Sequence, residues 1–154
     1  MISIDPAPRV EVASLVDQGI RKPLEETDLT PILELRAGDI LFMDGSHCCF
    51  TNSDVSVFFL EILPRLSEGV LVHLHDVFLP YDYPPTWAER YYSEQYMLGA
   101  YLLGGAAGVR IVLPVAFVCA DPELSRILDP IWKHPRLTEI ERIGCSFWLQ
   151  TTAR

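Results

Sequence analysis

Leu41-Phe42-Met43-Asp44-Gly45-Ser46-His47 is the stretch on which the reading of this 154-residue chain turns. Ile40 to Met43 is an apolar run of strand length that reads as a buried strand, and it ends abruptly in a carboxylate, a glycine and an imidazole. A second stretch repeats the arrangement: Gly69 to Leu74 is short, apolar and rich in aliphatic residues, and it runs into His75-Asp76. Between the two lies Asp54 to Leu66, where Val55, Phe58, Phe59, Ile62, Leu63 and Leu66 recur at spacings of three and four. This is the pattern of a helix with one buried face. Strand, helix, strand is the right-handed crossover unit, so the two strands should be parallel. Asp44, His47, His75 and Asp76 then emerge together at the rim of the sheet, where open α/β sheets bind ligands.

Outward from this unit, Met1 to Ile4 reads as a short strand entering Asp5-Pro6, followed by a helix with Pro8 in its first turn and an apolar stripe from Val10 to Val16. Ile20 to Leu24 is a weak strand, and Thr30-Pro31 opens a short helix as cap and first residue. After Asp76, the proline-rich Phe78 to Pro85 makes a shaped loop. Trp87 to Leu103 reads as a helix, Val109 to Leu113 as a strand, Pro122 to Trp132 as a helix and Gly144 to Thr151 as a last, alternating strand. The expected fold is an α/β three-layer sandwich with a mostly parallel sheet, in a single domain spanning 1–154.

Composition narrows the function. Hydrophobic residues make up 49% of the chain, enough for a real core. The formal charge of -9 and a pI near 4.8 argue against a nucleic-acid partner, which would require clustered Lys and Arg. Tyr96 to Ala120 carries Arg110 as its only charge, yet Gly104-Gly105, Gly108 and Pro114 divide it into helix, turn and strand rather than a membrane span. Cys48, Cys49, Cys119 and Cys145 lack zinc-type spacing and no signal peptide precedes Met1, so reduced thiols and a cytoplasmic location are expected.

Ile2-Ser3-Ile4-Asp5, Gly38 through Asp44-Gly45-Ser46-His47, Leu63-Pro64-Arg65-Leu66 through His75-Asp76, and Gly144-Cys145-Ser146-Phe147-Trp148-Leu149 carry a resemblance. In sequence and order they resemble the class I S-adenosylmethionine-dependent methyltransferases, in the small-molecule branch with a D-G-S-H or D-G-D-H strand end. The resemblance implies a Rossmann-like fold truncated at its N-terminus. The family's first strand and the glycine-rich turn after it would precede Ile2. That strand normally lies between the second and fourth, so its loss leaves a hole in the sheet or brings those two strands together.

By the same resemblance Asp5 takes the position that binds the cofactor ribose, its two acceptor oxygens suiting a vicinal diol. Asp28 borders the adenine, and Asp44, Gly45 and Ser46 lie beside the methyl-bearing sulfonium. Relatives with a metal hold Mg²⁺ with an acid here and a carboxylate pair after the next strand. In this chain the set becomes Asp44, His75 and Asp76, whose histidine favours Mn²⁺, Fe²⁺ or Zn²⁺. The competing reading makes His47 or His75 a general base, with Asp44 and Asp76 orienting it. His73, two residues before His75, belongs to the same face but deeper, satisfied in the core. Trp87, Tyr91 and Tyr92 either roof an acceptor pocket or form one apolar helix face.

The implied activity is methyl transfer to an oxygen or nitrogen of a small molecule or sugar. Two alternatives stand beside it. One is a catalytically silent α/β module completed by another chain or a second copy, and the other is a metal-dependent hydrolase at Asp44, His47, His75 and Asp76.

Overall fold

A computed structural model describes residues 1–8, 14–137 and 139–153. The helix expected over Val10 to Val16 falls largely outside the described residues. The described chain is α/β. Strands β1 (Ile2–Ile4) and β2 (Gln18–Ile20) pair in parallel as a two-stranded sheet. A four-stranded sheet follows, in the order β3 (Ile40–Met43), β4 (Leu71–His75), β6 (Ser146–Thr151), β5 (Val109–Pro114).

The central unit forms as its apolar spacing requires. Strands β3 and β4 are parallel, with Ile40 opposite Leu71 and Met43 opposite Leu74. Between them, helix α2 (Asp54–Val57) continues through a wide π turn at Phe58–Ile62 and a tight turn at Leu63–Arg65. Ser53 caps it by accepting a hydrogen bond from the Ser56 N–H. Val55, Phe58, Phe59, Ile62 and Leu63 are buried and pack into one core with Val72, Leu74, Phe147 and Leu149, while Leu60 and Glu61 face outward. Pro64, which has no N–H to donate, lies in that tight turn, and the last helical bond runs from the Leu66 N–H to the Ile62 carbonyl before the chain becomes extended. Gly69 then turns the chain into β4 with φ +86°, and a Cβ there would come 2.6 Å from that of Ala37.

The sheet departs from the mostly parallel expectation. Strand β6 lies between β4 and β5 and runs antiparallel to both, so the sheet is mixed. Its alternation is as expected, with Phe147, Leu149 and Thr151 buried. Alternation decides which face a residue takes but carries no information about strand direction.

Strand β3 also differs from a fully buried strand. Ile40 and Phe42, which alternate with the more buried Leu41 and Met43, are 56% and 57% exposed, and β3 is an edge strand paired, among the described residues, only with β4.

Three helices are redrawn. Pro85–Arg90 is a tight 3-10 segment, Tyr91 breaks it at φ +57°, and α3 begins only at Glu94, running to Leu103. Val115–Ala120 is a helix (α4) directly after β5, where none was expected. The stretch from Pro122 is helical only in short pieces, at Ser125–Leu128 and at α5 (Asp129–Trp132). Helix α1 (Thr30–Leu33) begins one residue earlier than anticipated, with Leu29 at the cap position and no side-chain cap, while Asp28 Oδ1 just before it accepts from both the Thr30 N–H and Oγ1. Among the described residues no helix is long and apolar enough to cross a membrane, and all four cysteines are free.

A candidate acid and imidazole site

The parallel strands β3 and β4 end side by side, and the polar clusters that follow them meet. His47 Nε2 lies 3.2 Å from Asp44 Oδ1 and 3.8 Å from Asp76 Oδ2. His75 Nδ1 lies 3.0 Å from Asp76 Oδ1 and 3.7 Å from Asp44 Oδ1, without a well-aligned hydrogen bond to either. The two imidazoles and two carboxylates therefore alternate around one point. His47 and Asp76 both hold the left-handed backbone, at φ +57° and +55°, a conformation that costs a side-chain-bearing residue free energy and must be held by its surroundings.

Access separates the four. The His75 and Asp44 side chains are 42% and 46% exposed, Asp76 is 15% exposed, and His47 is buried. On its other nitrogen, His47 Nδ1 meets Glu94 Oε2 at 2.8 Å. Burial by itself would lower the pKa of His47, but the hydrogen bond and charge of Glu94, with Asp76 and Asp44, outweigh it and hold the imidazole above its ordinary value. Glu94, fully buried, is shifted upward by desolvation, against the pull of His47. His73 lies deeper, as expected, stacked on Trp148 at 4.5 Å. It is not satisfied there as expected: among the described residues its Nδ1 has no hydrogen-bond partner, and burial and then the neighbouring His75 lower its pKa.

Gly45 and Ser46 serve the loop itself. Asp54, in the first turn of α2, accepts from the Ser46 N–H at 2.6 Å and from Ser46 Oγ at 2.5 Å. A Cβ on Gly45 would stand 2.0 Å from that same carboxylate, so only glycine fits. Cys145 Sγ donates to Asp76 Oδ1 at 3.3 Å, and burial followed by this carboxylate pushes the thiol up to about 11.

The start of α3, expected from sequence only as part of a helix, ties the rim together. Ser93 and Glu94 both donate their N–H to the His47 carbonyl, at 2.8 and 3.0 Å, and Ser93 Oγ accepts from the Cys49 N–H. The next residue, buried Gln95, accepts from the Phe78 N–H at 2.9 Å, and Tyr96 donates to Asp82. Glu94 and Gln95 are thus site-building residues that sequence reasoning missed. Two adjacent polar residues opening a helix ordinarily face water, and nothing in the pattern marks them as buried. Above them Tyr92 packs 4.5 Å from the His47 ring, and Trp87 neighbours Tyr92 edge-on, with the Arg90 guanidinium 3.8 Å over its ring. Tyr91, by contrast, is 81% exposed and stands outside this group.

Asp5 stands at the end of β1, on the other sheet. Its Oδ1 accepts from the Ala7 N–H at 2.8 Å, a turn-forming bond. A shallow hollow of about 230 Å³ lies beside it, lined by Ser3, Val16, Gly19, Ile20 and Arg21. The exposed Asp28 is engaged with Thr30, which lowers its pKa. Comparison with family models, with curated proteins and with solved structures returned no match.

Proposed function

We propose that the chain is part of a Rossmann-like, S-adenosylmethionine-dependent methyltransferase that acts on an oxygen or nitrogen of a small molecule or sugar. The observation that carries this reading is the convergence of Asp44, His47, His75 and Asp76 at the ends of two adjacent parallel strands. It is joined by the carboxylate of Asp5 at the end of β1, beside a hollow. The separation between β1 and β3 agrees with a first strand that would lie between them.

The cofactor would supply an activated methyl carbon, leaving the protein to place the acceptor and remove its proton. His75 suits the proton removal, because its ring is accessible and its Nδ1 is turned to Asp76, which leaves Nε2 to receive the proton of an acceptor hydroxyl. Asp44, equally accessible, orients that hydroxyl. His47 is enclosed, with a carboxylate on each nitrogen, and holds the rim rather than touching the acceptor. Asp5 would bind the ribose through the oxygen not committed to Ala7, whereas Ser46 and Asp28 already have internal partners. A divalent ion at Asp44, His75 and Asp76 is the part of the resemblance that this geometry supports least. Among the described residues no group of three or more His, Cys, Asp and Glu is placed to hold an ion, and His47 already lies against both acids.

Calorimetric titration with S-adenosylhomocysteine, run beside Asp5→Ala, tests the reading. Binding that Asp5→Ala removes is the expected result, and a folded chain that yields no heat overturns the reading for this chain. The second reading, a silent module completed by another chain, is favoured by the open edge of β3 with exposed Ile40 and Phe42. It predicts dimers in light scattering together with no cofactor binding.

A further inference from the structure

We propose that Glu94 is the positioning residue of the acidic rim. It fixes His47, whose opposite nitrogen then gathers Asp44 and Asp76 in front of His75. This rests on the methyltransferase reading only for the reaction that the rim would serve; the clamp itself rests on geometry. Glu94 has no exposed surface although it opens a helix, a place where a glutamate normally faces water. Taking a carboxylate out of water costs several kcal/mol unless a partner compensates, and here the partner is His47 Nδ1 at 2.8 Å.

The backbone supports the same assignment. His47 sits in the left-handed region, and its carbonyl is held by two successive N–H groups, those of Ser93 and Glu94. Ring and carbonyl are therefore anchored to the same helix start. That leaves Nε2 a single direction, toward Asp44 Oδ1 and Asp76 Oδ2. An imidazole whose one nitrogen is fixed by a carboxylate has its other nitrogen aimed, the same logic by which outer carboxylates orient histidines in catalytic sites. Because Gln95 and Tyr96 hold the Phe78 to Tyr83 loop, the start of α3 also sets the distance between the rim and its aromatic cover.

The test compares Glu94→Gln with Glu94→Ala, using protein ¹⁵N-labelled at histidine for the ring and uniformly labelled for the amides. The amide oxygen of Gln can still accept from Nδ1–H, and a methyl cannot. In wild type and Glu94→Gln the His47 Nδ1–H should give a protected downfield resonance. In Glu94→Ala that resonance should be lost, and exchange of the Ser93 and residue-94 amides should rise about tenfold, equivalent to about 1.4 kcal/mol of local opening. A Glu94→Ala protein that keeps the resonance and its amide protection overturns the proposal. So does a Gln variant that behaves like Ala while melting cooperatively. S-adenosylhomocysteine titration of the same three proteins separates the two ideas. Absence of binding throughout, with the NMR pattern as expected, removes the methyltransferase reading and leaves the clamp standing.

Discussion

Gly45→Ala is a one-methyl change whose cost can be worked from the geometry of the opening stretch. The new Cβ would stand 2.0 Å from Asp54 Oδ2 and 3.0 Å from Met43 Cε. Contact at about 3.4 Å is the nearest ordinary approach, so the carboxylate must retreat by more than an ångström. It is not free to do so, because Oδ2 accepts from the Ser46 N–H and Oδ1 from Ser46 Oγ. Hydrogen bonds to a charged group are worth roughly 1.5–3 kcal/mol each, and these lie near the surface, which places them at the low end. Losing most of one and weakening the other gives a destabilisation of about 2–3 kcal/mol, the same range as overpacking. Asp54→Ala should cost about 3 kcal/mol by removing both bonds directly. Since the clash needs the carboxylate, the double variant should be no worse than Asp54→Ala, a coupling of about 2 kcal/mol in a urea-unfolding cycle. Effects that add within about 0.5 kcal/mol would refute the reasoning, because the two residues would then not be in contact.

His73→Phe should stabilise the fold by about 1 kcal/mol at pH 7.5, because it removes a buried ring nitrogen that has no partner and keeps the stacking on Trp148. The gain should grow on acidification: the folded pKa of His73 lies below its ordinary 6.5, so its contribution is intact above that value. It is lost as pH falls from 6.5 through the lowered folded value. Denaturation curves at pH 7.5 and 5.5 with the same offset between the two proteins would contradict this. Cys145, with its thiol pushed up to about 11, should react with iodoacetamide at pH 8 on the order of a hundredfold slower in native than in unfolded protein. Peptide mass spectrometry reads this directly, and equal rates would mean that the thiol is not held against Asp76.

What the sequence determined by itself is the β3–α2–β4 unit and the meeting of its two rim clusters. Apolar spacing from Val55 to Leu63 and the two strands ending in polar residues require it, and those are local, periodic signals. The glycines and proline that interrupt Tyr96 to Ala120 likewise sufficed to separate α3 from β5. The direction of β6 was decided only in the tertiary structure, since alternation is the same read in either sense along a strand. Strand β3 is an apolar run whether or not a neighbour covers it, so the exposure of Ile40 and Phe42 is a property of the sheet and not of the run. The division of labour between the two histidines was also invisible. His47 and His75 both belong to polar clusters at the ends of apolar runs, and only a glutamate 47 residues beyond His47, folded against its Nδ1, marks it as the enclosed one while the other stays accessible. Partners so distant in sequence are joined by packing, which no local pattern records.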